Sequence, residues 1–299
     1  MAITVTDLFI YPVKSLRGLR LERASLDIRG LADDRRWMII DQHQRFVTQR
    51  TLPALVTIHT HLTDDGLWLQ SPDSECRVSK IFSGDPTPIT AHIWSDEVQV
   101  LDEGPAVGQW LTEVLKHTSP LRLVRLSDQP RPRAKPEYLG PAHTVFADMA
   151  PLLIANQASL DALNHALVDG TEAPVPMDRF RPNIVLTGLN AFSEHRIARL
   201  RHSDFSLALA YPCERCVVTT VDQTTGQRHP QGEPFPTLTR LNPMPAYGSG
   251  AHAKPANLKA PAFAENAYLT GAERGLLMVG DRLWVDELRT LESPPNALG

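Results

Sequence analysis

The chain has 299 residues, 42% of them hydrophobic and 21% charged, with a formal net charge of −4. That length supports a substantial core, and the balance excludes a disordered chain and any general attraction to nucleic acid or an acidic membrane surface. Three cysteines cannot form a disulfide framework, the N-terminus has no basic-then-apolar leader, and no apolar run reaches membrane-spanning length, so the expectation is a cytoplasmic protein.

The first third alternates apolar and polar residues in short runs. Strands are predicted at Ile3–Ile10, Leu19–Ile28, Trp37–Ile40, Leu55–His61 and Leu67–Leu69. His92–Trp94 and Val98–Leu101 read as a hairpin around Ser95-Asp96-Glu97. Many short strands in series suggest a barrel or a curled sheet. The first clear helix is Ala106–Lys116, where Val107, Trp110, Leu111, Val114 and Leu115 recur at helical spacing. A strand follows at Leu121–Leu126, and Gln129–Pro136 reads as an irregular loop and a boundary zone.

Beyond that loop, Pro151–Ala155 reads as a buried strand, and Ser159 as the cap of a helix through Ala162, Leu163 and Ala166. Ile184–Thr187, Phe205–Ala210 and Val217–Val221 read as strands, and Pro234–Leu241 as a short helix. In Met278–Val285, the turn Val279-Gly-Asp281 precedes a last strand. The whole is mostly β with some helices.

Most local chemical signatures are missing. There is no nucleophile elbow, no phosphate-binding Gly-rich loop with Lys-Ser/Thr, and no dinucleotide fingerprint. Asp33-Asp34 reads as a solvated turn. His59 and His61 share one strand face, but no third ligand accompanies them. Cys213 and Cys216 form a Cys-x-x-Cys without the second ligand pair that a structural zinc site needs. The following Val217-Val-Thr-Thr-Val221 is strand-forming, unlike the helix start of a thioredoxin-like pair. Packing as a small apolar residue is the favoured reading for Cys213. For Cys216 it is evenly balanced against an exposed thiolate beside Arg215. Tyr11-Pro-Val-Lys-Ser15 and Arg179-Phe-Arg-Pro-Asn183 are readable as solvated turns. Together they also offer Lys14, Ser15, Arg181 and Asn183 as donors of the kind a phosphate or a pterin edge requires.

Several blocks in order resemble the MOSC-domain proteins with an N-terminal MOSC-associated β-barrel, the group of the YcbX-type proteins and the mitochondrial amidoxime-reducing component. They are Tyr11–Ser15, Asp34-Arg-Arg-Trp37, Val47-Thr-Gln-Arg50, Phe146-Ala-Asp148, Ala158-Ser-Leu160, Arg179–Val185 and, most specifically, Cys213–Gly226. The resemblance implies an N-terminal β domain over about 1–117 and a MOSC β-barrel over about 118–290. It implies a molybdenum cofactor whose metal takes Cys216 as its one protein ligand, with Cys213 a neighbour. A soft thiolate suits a metal already bound to dithiolene sulfur. Lys14, Ser15, Arg35, Arg181 and Asn183 match positions that grip the cofactor, and Asp148 matches a position near the metal that orders its surroundings or handles protons.

The activity implied is reduction of N-hydroxylated compounds (amidoximes, hydroxylamines and N-hydroxylated bases) to amines, two electrons and two protons releasing water. An alternative of a different class is a cofactor or sulfur carrier with a persulfide on Cys216. The chain has none of the four cluster cysteines of the ferredoxin-like domain found in many YcbX-type chains. Electrons are therefore expected from a separate ferredoxin-like, flavin or cytochrome reductase partner. Phe263-Ala264 stands where the family often has Phe-Gly, after an Ala- and Pro-rich stretch from Pro245 to Pro261 that reads as an insertion and leaves the local pocket wall open.

Overall fold

The computed structural model describes residues 2–82, 86–126, 145–248 and 252–289. Seven strands close into a barrel in the order Leu152–Asn156, Ile184–Thr187, Ile3–Ile10, Arg282–Leu288, Ile197–Arg201, Ser206–Glu214, Asn257–Thr270 and back to Leu152–Asn156. Ile3–Ile10 alternates as its sequence does, Ile3, Val5, Leu8 and Ile10 being buried, with a register shift between Val5 and Asp7. A bulge of this kind bends a strand and suits it to a closed barrel. Leu152–Asn156 and Ile184–Thr187 pair in parallel, which requires a crossover, and the helix Gln157–Asp169 lies on that connection. Val5, Leu8, Ile154, Ile184, Leu200, Leu207 and Leu283 fill the main core.

The segment from Trp37 to Leu126 forms a four-stranded antiparallel sheet, ordered Trp37–Ile40, Arg122–Leu126, Asp96–Asp102, Pro88–Ile93, and a three-stranded one of His59–Leu62, Gly66–Gln70 and Glu75–Ser79. The helix Pro105–Val114 buries Val107 and Leu111 against Trp37, Leu67 and Leu123. The fold is thus mostly β with three α-helices among the described residues, as the alternation predicts.

Several elements differ from the sequence reading. The run Leu19–Ile28 is split at Glu22, because Leu19–Leu21 pairs with Ile3–Ile10 while Arg23–Asp27 pairs with Arg274–Met278. Leu55 and Val56 lie in a 3-10 turn opened by Pro53, and only His59–Leu62 is extended; proline presets the backbone for such a start. The helix after Leu152–Asn156 is capped by Asn156, whose side chain accepts the Ala158 N–H at 3.1 Å, and Ser159 is buried within it, its hydroxyl donating to Glu194 at 2.7 Å. Val217–Thr220 is a 3-10 turn rather than a strand. The Thr219 and Thr220 hydroxyls donate to the carbonyls of Cys216 and Val217 at 3.0 and 2.7 Å, a local bonding that competes with β structure. The supposed insertion runs into the longest strand, Asn257–Thr270, within which Ala264 takes φ +70°, a conformation glycine adopts freely. The loop Gln129–Pro136 lies outside the described residues.

Candidate functional site

Where Ile3–Ile10 leaves the barrel, Tyr11 anchors the first wall of a cavity. Its N–H donates to Asp34 Oδ1 at 2.8 Å and its hydroxyl to the Pro182 carbonyl at 3.1 Å. The guanidinium groups of Arg181 and Arg35 lie over its ring at 4.1 and 4.5 Å. Asp34 is therefore buried, not the solvated turn its sequence suggests, and it also accepts from Arg35 at 2.5 Å. Gly18 packs on the same ring so closely that a Cβ there would fall 2.5 Å from Cε1.

Lys14, Ser15, Arg35, Asp148, Arg181, Asn183 and Cys216, far apart in sequence, all line one cavity of about 380 Å³. Lys14 is buried, and its ammonium donates to the Phe146 carbonyl at 2.9 Å and to Asp148 Oδ1 at 2.5 Å. The Ser15 carbonyl accepts from Gln49 at 2.8 Å, and Gln49 in turn bonds Gln223. Arg181 caps the 3-10 turn Met177–Phe180 and donates to the Leu16 carbonyl at 2.8 Å and to Gln223 Oε1 at 3.3 Å. The Asn183 amide donates to the Phe9 carbonyl and accepts from Leu153 N–H and Arg35, each at 3.1 Å. Asn183 thus orients Arg35. Ser15, Arg35 and Arg181 hold φ of +70°, +47° and +53°. Such left-handed conformations in non-glycine residues cost about 1–3 kcal/mol each and cluster where function over-determines them.

The second wall is the end of Ser206–Glu214. Arg215 donates to Cys213 Sγ at 3.0 Å and to the Phe180 carbonyl at 2.7 Å, while its Nε is buried without a partner. Burial pushes the Cys213 thiol up, against the opposing pull of Arg215. Cys216, half-buried, opens the 3-10 turn and lines the cavity as a free thiol. Phe263 stacks on Phe180 at 3.9 Å behind this wall. Among the described residues no group of three or more His, Cys, Asp and Glu can hold a metal. Among these residues His59 and His61 therefore stand without further ligands, and a metal on Cys216 would need ligands from outside them.

The field in the cavity is positive. Burial works against charge on Asp148, yet the Lys14 ammonium, Arg50 and the Trp94 indole N–H outweigh it and hold the carboxyl well below the usual range. Burial lowers Lys14, and Arg35 and Arg50 add to that against the pull of Asp148. Burial works against charge on Arg35, but Asp34, Tyr11 and Asp148 together outweigh it and raise its pKa. Arg181 forms no ion pair with a carboxylate among the described residues, and burial, with Arg35 nearby, pushes its pKa from 12.5 down to about 10. A buried cation with no carboxylate in direct contact among the described residues, Asp34 and Asp178 acting on it only from a distance, in the cavity that also holds a free thiol, fits an anionic ligand that brings a thiophilic metal.

Arg50, Trp94, Tyr11 and Arg215 also shape the site. Arg50 stands in a block that the sequence already singles out, Val47–Arg50. Trp94 carries only the signal of a large apolar residue at a hairpin tip. That tip is Trp94-Ser95, one residue earlier than the sequence suggests, since Ile93 pairs with Asp96.

Family models match along the chain, the MOSC N-terminal beta barrel domain over residues 2–118 and the MOSC domain over residues 141–284. Mitochondrial amidoxime-reducing component 1 of Homo sapiens is 31% identical, the match covering 94% of this chain and 82% of that protein. Mitochondrial amidoxime reducing component 2 of Bos taurus is 33% identical, over 79% of this chain and 71% of that one. Among solved structures, the YUAD protein of Bacillus subtilis is 8% identical over 95% of this chain and 94% of its own, with a TM-score of 0.34. With both models in order and relatives matched over most of their length, the chain belongs to the family of MOSC-domain proteins that carry a MOSC N-terminal β-barrel.

Proposed function

We propose that this protein is a molybdenum-cofactor oxidoreductase that reduces N-hydroxylated compounds with electrons from a separate redox protein. The observation that carries the reading is Arg181, buried and without a carboxylate partner, lining the same cavity as the free thiol of Cys216. Arg181, Arg35, Lys14 and Ser15 would hold the phosphate and pterin of the cofactor, and the Cys216 thiolate would hold its metal. The names of the relatives, amidoxime-reducing components, support the substrate class.

The bound cofactor supplies the two-electron chemistry. The protein's own part is to bind, orient and supply protons. Asp148, held ionised, is a fixed acceptor that aims the Lys14 ammonium and the Trp94 N–H. Lys14 carries the proton beside the cavity, and its lowered pKa brings it closer to neutral pH, where a proton donor works best.

The test is metal analysis of wild type and Cys216→Ala from a host that makes the cofactor, together with benzamidoxime reduction by an artificial reductant. Wild type should hold molybdenum near stoichiometry and reduce the substrate, and the variant should do neither. Wild type free of molybdenum would sink the proposal. Added sulfur on Cys216 by mass spectrometry would then favour the carrier role.

A further inference from the structure

Trp94 is conspicuous on three counts. It is 56% exposed, although it lines the cavity that holds Cys216 and Asp148. It occupies the first position of the two-residue connection between Pro88–Ile93 and Asp96–Asp102 with φ +57°. The favoured two-residue hairpin turns need positive φ there and take Gly, Asn or Asp; a bulky residue in that conformation is a genuine outlier. The indole is nevertheless fixed in place. Its N–H donates to Asp148 Oδ1 at 3.3 Å, Arg50 lies over the ring at 4.8 Å, and Phe46 meets it at 5.0 Å in an edge arrangement.

A large aromatic held by three contacts, in a conformation that disfavours it, and still more than half exposed at a cavity, has surface free for a partner. Met149, which lines the same cavity, is also partly exposed, at 37%. An aromatic face and a thioether select for planar, conjugated groups, which stack with little dependence on their polar substituents. The opposite choice, a small non-planar molecule, gains nothing from such a surface.

We infer that Trp94 is a specificity-determining residue whose exposed indole surface receives the planar, conjugated part of the substrate, so that aryl amidoximes and N-hydroxylated bases are preferred over small non-planar hydroxylamines. This rests on the N-reductive reading above. The indole contacts the part of the substrate that does not react, and Asp148, which holds the indole N–H, ties the orientation of that surface to the Lys14 ammonium.

The experiment compares wild type, Trp94→Ala and Trp94→Phe as molybdenum-loaded proteins, with kcat and KM for benzamidoxime and for hydroxylamine under one artificial reductant. Benzamide, planar and non-reducible, is titrated calorimetrically against each protein. Stacking on an aromatic residue is worth about 1–3 kcal/mol by alanine substitution, or about 5- to 150-fold. The ratio of kcat/KM for benzamidoxime to that for hydroxylamine should therefore fall about fivefold or more in Trp94→Ala, through KM. Benzamide should bind correspondingly more weakly, and Trp94→Phe should restore most of both. A ratio unchanged within twofold, or equal benzamide affinity in all three proteins, overturns the inference. So does loss of molybdenum in a folded Trp94→Ala protein, which would place the indole against the cofactor. If loaded wild type reduces neither substrate, the N-reductive reading falls, and the benzamide titration alone decides the role of Trp94.

Discussion

Replacing Arg181 by Met tests whether the site is built around a missing anion. In the cofactor-free protein the charged guanidinium is disfavoured, its pKa lying near 10 instead of 12.5. At about 1.4 kcal/mol per pH unit, that is a penalty of about 3 kcal/mol. Removing the group forfeits the bonds to the Leu16 carbonyl and to Gln223, a loss of about 1–3 kcal/mol. The backbone strain at φ +53° is the same for Met as for Arg. The two effects nearly cancel, so Arg181→Met should change the stability of the cofactor-free protein by less than about 2 kcal/mol, against the roughly 3–5 kcal/mol lost when one partner of a buried ion pair is deleted. Inorganic phosphate should separate the two proteins clearly. At a hundredfold excess over its Kd it stabilises a single site by about 2.7 kcal/mol, which is roughly 4 °C in Tm for a chain of this size. Calorimetry of cofactor-free protein, in phosphate against chloride at matched ionic strength, reads both numbers. An equal phosphate shift in Arg181→Met and wild type would refute the reasoning. So would a loss above about 4 kcal/mol in the variant without phosphate.

The Asp148 carboxyl is depressed in the folded state, so its contribution is present above the unfolded value of about 4 and lost as pH falls toward the folded value. Asp148→Asn should flatten the acid limb of urea stability by about 1 kcal/mol, a figure kept small because the side chain is 35% exposed; an unchanged limb refutes it. Lys14 is lowered, so between its folded value and about 10.4 the unfolded chain binds more protons and stability rises with pH. Lys14→Met should abolish that rise in alkaline unfolding curves, and a rise that persists in the variant assigns it to another group. Phe180→Ala removes a fully buried ring stacked on Phe263 and should cost about 3–5 kcal/mol in chemical denaturation; a cost below about 1 kcal/mol would mean that the wall behind Cys216 repacks.

Local patterning was sufficient where one face of an element is buried and the other is wet. Ile3–Ile10 matches end to end, and the helix Pro105–Val114 follows its apolar spacing; Trp37–Ile40, buried on both faces, is matched as a continuous apolar run. It failed where a side chain bonds its own backbone, as Thr219 and Thr220 do, or where pairing comes from afar. Asn257–Thr270 has eight consecutive buried residues in an Ala- and Pro-rich context; its strand character comes from Ser206–Glu214 and Leu152–Asn156 on its two sides. Within the site, donor types alone marked Lys14, Ser15, Arg181 and Asn183, whereas Arg35 and Asp148 entered only through the resemblance. Asp34 was misjudged because its partners, Tyr11 and Arg35, make an acidic turn into a buried one. Trp94 was missed because an indole in a glycine-like turn position leaves no periodic trace.

The strand Ile3–Ile10 lies between Ile184–Thr187 and Arg282–Leu288, Ile3 facing Leu283. Of the seven barrel strands, the first in chain order therefore waits for the last, and the barrel cannot close until Arg282–Leu288 has been made. Contacts of such sequence separation make for slow folding. The cavity inherits this timing, because Lys14 and Ser15 directly follow the first strand while Cys216 follows one whose neighbour is Asn257–Thr270. Formation of the cavity is thus a late event by topology, and removing either Ile3–Ile10 or Arg282–Leu288 opens the same seam.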